Sequence, residues 1–253
     1  MRRIKYIMIA LVILIYLCST GCDLPYKDKE VIEVMSEYME DTYEQEFDFE
    51  DLEQKTGDYG MKWFEATAIS EDGIECMVTW YPTNGGDIIS DYHNVRWDAE
   101  LSQLAQDDFE KYYSPLEVSF MVSGGEDTLT MSLDEMIHNR KDPEAGGGFF
   151  AYLYIFSLEE IDIELEADRI YEFIKTYAID NNLKYYQVDF FYLAPDMYDQ
   201  FDIDTTPKEI FKDDDGYLAS GRMIAYASIS ADLIDYSEDE TIVKEYIKTR
   251  IHY

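Results

Sequence analysis

Residues 60–92 read GMKWFEATAISEDGIECMVTWYPTNGGDIISDY, and they predict the first sheet of this chain. Apolar and polar side chains alternate through two runs of it, a period that predicts two strands with one buried face each. The runs end at the turn sequences EDG (71–73) and TNGG (83–86), in which glycine is free to adopt positive φ. A third strand is predicted over 87–92. Together these strands predict an antiparallel meander with the core side chains Phe64, Ala66, Ala68, Ile74, Cys76, Val78 and Trp80.

Two amphipathic helices flank this meander. Residues 29–43 place apolar side chains at helical spacing with acids between them, and residues 94–112 repeat the pattern with larger apolar side chains. A further strand is predicted over 115–122. We therefore expect an N-terminal α+β unit over residues 29–122.

The C-terminal half again mixes strands and helices. Its aromatic and aliphatic run at 149–156 is too short to cross a bilayer and predicts a central strand. Further strands are predicted over 184–193 and, as one or two strands, over 217–230. Helices are predicted over 164–182, 206–216 and 237–253. These elements form a predicted C-terminal α+β unit over 149–253.

Glycine clusters separate the two halves. The sequences at 124–125 and 146–148 flank a short predicted helix at 132–140, so residues 123–148 are predicted to be a connector. The predicted fold class is α+β, with mostly antiparallel sheets, packed amphipathic helices and two halves of similar size. Because each half begins and closes with a helix around several strands, an internal duplication is a further hypothesis.

A signal-peptide pattern precedes the folded body. Basic residues at the start are followed by twelve apolar residues at 6–17 and by small residues before Cys22. A stable transmembrane helix needs roughly 18 apolar residues, so residues 1–21 are predicted to be a cleaved signal peptide. An uncleaved N-terminal anchor is the alternative interpretation. Residues 22–28 then form a short polar tether.

The sequence STGC at 19–22 resembles the lipobox of bacterial lipoproteins, although Ser19 stands where lipoboxes usually carry leucine. This resemblance implies that Cys22 is acylated after cleavage. It also implies a lipid-anchored protein on the extracytoplasmic face of the cell membrane. Residues 76–113 are similar to segments of uncharacterised lipoproteins of Gram-positive bacteria, a resemblance that implies no activity.

The charge of the chain excludes two classes of partner. The sequence has 55 acidic and 20 basic side chains, for a net charge of −35. The signal peptide removes three of the basic side chains and no acid, so the mature chain carries −38. Such a surface repels phosphate backbones and anionic headgroups. We therefore expect no nucleic-acid partner, and we expect the membrane to be reached through the lipid anchor.

The sequence contains no linear catalytic motif such as G-x-S-x-G, H-E-x-x-H or a phosphate-binding glycine loop. Its three histidines, His93, His138 and His252, fall on separate predicted elements, where surface or turn roles are expected. Cys76 shares a strand face with apolar residues. Burial as a small apolar side chain is therefore expected for Cys76 in preference to a nucleophilic role.

Acidic side chains are dense in one predicted loop. Asp196, Asp199, Asp202 and Asp204 fall within nine residues, and a second acidic run follows at 213–215. Calcium binds several oxygens at close quarters, so this loop is a hypothetical cation site. The sequence does not fit the EF-hand loop, and solvated turn residues are the alternative. No other cofactor and no other metal are predicted.

Tyrosines are abundant, and those that could line a groove for a peptide or glycan are Tyr112, Tyr113, Tyr185, Tyr186 and Tyr192. Core positions are the alternative for these side chains. The expected function is that of an exported, lipid-anchored acidic surface protein. It would act as a non-catalytic binding module for a protein, peptide or cell-wall ligand. An extracytoplasmic hydrolase with carboxylate acid/base pairs is the alternative, and a solute receptor is disfavoured because the βαβ alternation is missing.

Overall fold

The computed structural model describes the chain in seven ranges: 24–123, 148–157, 160–180, 186–203, 205–212, 214–231 and 239–253. Contacts divide the chain into two compact units between Asp91 and Tyr92. None of the helices in this described part combines the length and the apolar character that crossing a bilayer demands. The predicted signal peptide, Cys22 and residues 124–147 of the predicted connector lie outside the described residues.

The described part of the first unit contains an α-helix packed on a four-stranded sheet. The helix α1 spans Asp28–Tyr43, and the strands are β1 (Phe47–Thr56), β2 (Lys62–Ser70), β3 (Glu75–Tyr81) and β4 (Asp87–Ser90). All neighbouring strands are antiparallel, in the order β1-β2-β3-β4. The predicted meander and its preceding helix are therefore confirmed.

Helix α1 covers one face of this sheet. Its buried side chains follow the four-residue spacing that brings side chains to one side of a helix: Val31, Met35 and Met39. Tyr26, just before the helix, packs on Trp80 with ring centroids 4.9 Å apart, and Tyr43 at its end packs on Phe47 at 6.0 Å. Both ends of α1 therefore lie against the buried face of the sheet.

The second unit is built on a five-stranded mixed sheet. Its helices are α2 (Tyr92–Phe109), α3 (Ile163–Ile174, continued by a π-helical turn, Lys175–Ile179), α4 (Thr206–Lys212), α5 (Asp214–Ala219) and α6 (Glu240–Lys248). Its strands, in spatial order, are β5 (Leu116–Ser123), β6 (Gly148–Ile155), β7 (Tyr186–Leu193), β8 (Met223–Ser230) and β9 (Ile251–His252). Strands β6 and β7 are parallel and joined through α3, whereas the other pairs are antiparallel.

Both faces of this second sheet bury apolar side chains. A large core combines strand residues such as Phe190 with Trp97 of α2, Phe173 of α3 and Ile247 of α6. A smaller core on the alternate strand positions packs Phe191 and its neighbours against α4 and α5. The strands therefore consist largely of apolar residues, as is typical of strands covered on both sides.

Helix α2 also covers the outer edge of β5. Side chains four residues apart on α2 reach main-chain groups of the strand: Asp98 accepts from the Val122 N–H, Ser102 accepts from the Phe120 N–H at 2.9 Å, and Gln106 donates to the Leu116 carbonyl. Unpaired strand edges invite pairing with other chains. These three side chains of α2 therefore satisfy some of the main-chain hydrogen-bonding groups at the edge of β5.

The boundary between the units lies earlier than the predicted connector at 123–148. The sequence pattern groups α2 and β5 with the N-terminal unit, but both belong to the second unit. The reason is that β5 pairs with β6 along its whole length while α2 packs on β5. The first sheet is wholly antiparallel and the second contains a parallel pair, which contradicts an internal duplication.

Three elements of the structure differ from the predictions. Strand β1 is not predicted at all, and residues 217–219 form part of helix α5 where a strand is predicted. The strand β8 begins only after Gly221, whose φ of +73° reverses the chain. The predicted C-terminal helix ends at Lys248, because the β-branched Ile251 pairs with Ala227 of β8 instead.

Candidate functional site

The face of the first sheet opposite α1 is here called the open face. Alternation along the strands places six carboxylates on it: Asp48, Glu50, Glu53, Glu65, Glu75 and Asp87. The same alternation adds one basic side chain, Lys55, and five large apolar side chains: Trp63, Ile69, Met77, Tyr81 and Ile89. Met77 is 44% exposed and Ile89 is 55% exposed. Exposed apolar groups and acids therefore share one surface.

A β-bulge in β1 determines which acids reach this face. Glu50 pairs with Thr67, but Glu53 pairs with Glu65, so two residues of β1 between these pairs oppose one residue of β2. In a strand without a bulge, Glu50 and Glu53 would point to opposite faces, because they are three residues apart and side chains alternate along a strand. Asp51 in the bulge has a φ of +50°, which aspartate tolerates better than most residues. The bulge thus brings the two carboxylates to the same side.

The pairing register arranges these side chains in rows across the strands. One row places Lys55 opposite Trp63, whose ring lies 6.0 Å from that of Tyr81. The next row is Glu53, Glu65, Thr79 and Ile89. Strand β1 therefore carries three of the six acids, β2, β3 and β4 carry one each, and the exposed Met77 and Ile89 lie on β3 and β4.

Trp63 is held in one orientation on this face. Its indole Nε1 donates to Oε1 of Glu65 at 2.6 Å. Its ring also lies so close to Gly57 that a Cβ at that position would approach the ring to 2.8 Å. Trp63 is consequently a fixed aromatic surface beside the carboxylates.

The single lysine of the open face is engaged by its acidic neighbours. Lys55 forms an ion pair with Glu53 and lies 3.9 Å from Glu65. The hydrogen bond between Lys55 and Glu53 raises the pKa of the lysine and lowers the pKa of the glutamate. Glu53 therefore stays ionised, and the face as a whole is strongly negative.

The second unit holds a buried carboxyl on the sheet face that carries the smaller core. Asp189 on β7 is 5% exposed, and Gln187 donates to its two oxygens at 3.2 and 2.9 Å. Burial raises the pKa of Asp189, while hydrogen bonds from Ser228 and Gln187 oppose that shift. Tyr152 faces Asp189 across the parallel pair, and its own pKa is raised by burial and by the aspartate.

Another buried carboxylate, Glu166 on α3, is paired on both oxygens. The Tyr113 hydroxyl donates to Oε2 at 2.5 Å, and Arg169 Nη1 lies 2.7 Å from Oε1. Burial, with Tyr113 and Glu166 nearby, raises the pKa of Tyr192 well above its usual value. Because both Glu166 oxygens are engaged, we interpret this cluster as a link between α3 and the core, not as a ligand site.

No protein-family model, no curated protein and no solved structure matches the chain.

The acids of the predicted cation loop are not assembled into a site by the described residues. Asp196 and Asp199 lie on a short 3-10 helix, Pro195–Gln200, and Asp202 follows it. Within the described ranges, no group of three or more His, Cys, Asp or Glu side chains could hold a metal ion. Asp204 lies outside those ranges.

Surface or turn positions are predicted for the three histidines, and this prediction is wrong for His93 on helix α2. His93 is buried beside Trp97, with ring centroids 5.3 Å apart, and His252 stacks on Tyr226 at 4.8 Å. His138 lies outside the described residues. Cys76 is buried, as predicted, and burial raises its pKa to about 12, so its thiol is not a nucleophile at neutral pH.

The candidate tyrosine groove does not form from the residues that are described. The buried members of the set are Tyr113, Tyr186 and Tyr192, whereas Tyr112 is partly exposed and Tyr185 lies outside the described ranges. The aromatic side chains of the open face are instead Trp63 and Tyr81, for which the sequence pattern predicts no binding role. The signal for its acids was available in the alternation of Phe47 and Phe49 with acids at 48 and 50, a period typical of a strand.

Proposed function

We propose that the chain is an exported, lipid-anchored, non-catalytic binding module that uses the open face as its binding surface. The observation that carries this proposal is the exposure of Met77 and Ile89 beside carboxylates on one face of the sheet. Exposed apolar side chains with a polar rim are typical of interaction surfaces. The rigid sheet and the fixed Trp63 ring favour recognition without rearrangement.

Binding fits the open face better than catalysis. A general acid at neutral pH needs a raised pKa, usually through burial. Glu53 has the opposite shift, because Lys55 stabilises its ionised form. The open face is therefore suited to holding positive charge and not to donating protons.

The signal sequence supports the cellular location in this proposal. Acylation of Cys22 would anchor the chain in the outer leaflet of the cell membrane. Residues 23–28 span at most about 20 Å even when fully extended. Helix α1 begins at Asp28, so the first unit would lie near the bilayer surface.

The hydrolase alternative is favoured by one observation, the buried Asp189. A raised pKa is what a catalytic acid requires. A carboxylate pair would need a second acid next to it, however, and the described groups that act on its pKa besides burial are Ser228 and Gln187. Asp189 is thus half of the arrangement that a hydrolase of this kind uses.

Site-specific cross-linking on intact cells tests the binding proposal. A photo-reactive amino acid at position 89 of the full chain should cross-link a partner that is accessible from outside the cell. The matched control places it at position 37, an exposed position of α1 on the other side of the sheet. Equal cross-linking from positions 37 and 89, or protection of the chain from proteases added to intact cells, would contradict the proposal.

A further inference from the structure

We propose that the partner of the open face is a cationic amphipathic helix, with basic side chains along β1 and apolar side chains on β3 and β4. This inference rests on the proposed binding function and adds the chemistry of the partner. The charge, the exposure and the dimensions of the open face support this one partner.

The charge of the face selects for a cation. Its six carboxylates stand against one lysine, and that lysine is already paired with Glu53 and close to Glu65. Complementary potential speeds association and excludes partners of like sign. An anionic lipid surface, a nucleic acid and a second copy of this chain, which carries the same excess of acids, are all repelled.

The apolar side chains select for an amphipathic partner. Met77 and Ile89 are exposed on adjacent strands. Thr79 lies between Ile89 and Glu65 in their row across the strands. A partner with charge alone would leave these side chains in water. A partner with an apolar stripe buries them, which favours binding.

The distance between the acidic zone on β1 and the apolar zone on β3 and β4 matches the width of a helix. Strand β1 carries Asp48, Glu50 and Glu53, and it is separated from β3 by one intervening strand. Neighbouring strands lie about 4.8 Å apart, so acids on β1 and apolar groups on β3 and β4 are roughly 10 to 14 Å apart. An α-helix with its side chains is about 10 to 12 Å wide. A helix lying along the strands can therefore touch both zones with opposite flanks.

Binding of designed helices to the full acylated chain in non-ionic detergent tests this inference. The probe is a fluorescent 14-residue Lys/Leu amphipathic helix, measured by anisotropy against empty micelles. Three matched probes replace Lys with Glu, Lys with Gln, or Leu with Gln. We expect the Lys/Leu helix to bind and the Lys-to-Glu helix to show no binding. The other two should bind at least about fivefold more weakly.

Variants of the chain assign the binding to the open face. Asp48→Asn with Glu50→Gln should weaken binding of the Lys/Leu helix about fivefold, and Met77→Ser with Ile89→Ser about tenfold. All four positions are exposed, and circular dichroism should confirm that each variant is folded. The control, Glu33→Gln with Glu37→Gln on α1, removes the same charge from the other side of the sheet and should change Kd less than about twofold.

The outcomes separate the inference from the proposed function. Equal weakening by the control and by the face variants would show general attraction to an acidic chain and overturn the inference. Equal binding of the Gln/Leu and Lys/Leu helices would overturn the role of charge and leave the binding face intact. If none of the four probes binds, the inference that the partner is a cationic helix is overturned. Cross-linking from position 89 would still decide the proposed function.

Discussion

At the scale of single residues, environment gives carboxylates of this chain opposite properties. Glu53 is exposed, and its neighbour Lys55 lowers its pKa. Asp189 lies in the sheet of the second unit, where burial raises its pKa despite hydrogen bonds from Ser228 and Gln187. The first is suited to binding a cation, and the second makes stability depend on pH.

Asp189→Asn should stabilise the protein at neutral pH. The folded state binds the Asp189 proton more tightly than the unfolded state, whose carboxyl has a pKa near 3.9. The stability that protonated Asp189 contributes is therefore lost as pH rises above about 4 and through the raised folded pKa. The asparagine removes this cost and keeps an oxygen that can accept from Gln187.

Urea unfolding at pH 7 and at pH 3.5 checks this expectation. The variant should be more stable than the parent at pH 7, and the difference should shrink at pH 3.5, where both states of the parent are protonated. Asp196→Asn, at an exposed position of the same unit, is the matched control and should show no such pattern. A loss of stability in Asp189→Asn at pH 7 would mean that its charge is needed in the fold.

At the scale of elements, the helix α2 protects the edge of β5 through side chains four residues apart. Ser102→Ala should lower the free energy of unfolding, because the Phe120 N–H loses its acceptor. An unsatisfied main-chain donor costs about 1 to 3 kcal/mol. The better helix propensity of alanine offsets about 0.5 kcal/mol of that. The exposed Gln103→Ala on the same helix should be close to neutral, since its amide bonds only Asp107 in the described contacts.

Urea titration monitored by circular dichroism measures both variants. Size-exclusion chromatography adds a second readout, because a bare strand edge promotes association between chains. Ser102→Ala and Gln103→Ala with the same stability and the same elution volume would show that the edge does not depend on this contact.

The elements also show which strands a local sequence pattern predicts and which it misses. Strand β2 and strand β3 are predicted because short turns and strict alternation act together. Strand β1 is missed because acids dominate its composition, and its bulge breaks the alternation after Glu50. Strand β9 is missed because its pairing with β8 is a long-range contact, which outweighs the helical spacing of the C-terminal residues.

The candidate site depends on those same long-range contacts. The open face requires β1 to pair with β2 and the bulge to bring Glu53 to the side of Glu50, and neither follows from local propensity. The predicted calcium loop stays a prediction, because Asp204 lies outside the described residues. Its described members, Asp196, Asp199 and Asp202, are not gathered into a metal-binding group.

At the scale of the whole molecule, fold class and charge are the properties that the sequence determines most directly. The α+β prediction is confirmed by one antiparallel and one mixed sheet with packed helices. Hydrophobic content of 47% suffices for two cores despite a net charge of −35. The same charge, on the lipid-anchored chain that we propose, would favour neutral or basic partners.

The location of the chain is the claim on which the binding proposal depends most. Mass spectrometry of the N-terminal peptide from chain purified out of the membrane fraction tests it directly, with Cys22→Ser as the unacylated control. The result expected is a peptide that begins at Cys22 and carries the mass of a lipid. An unacylated peptide that begins at Met1, from chain recovered in the cytosol, would contradict the account.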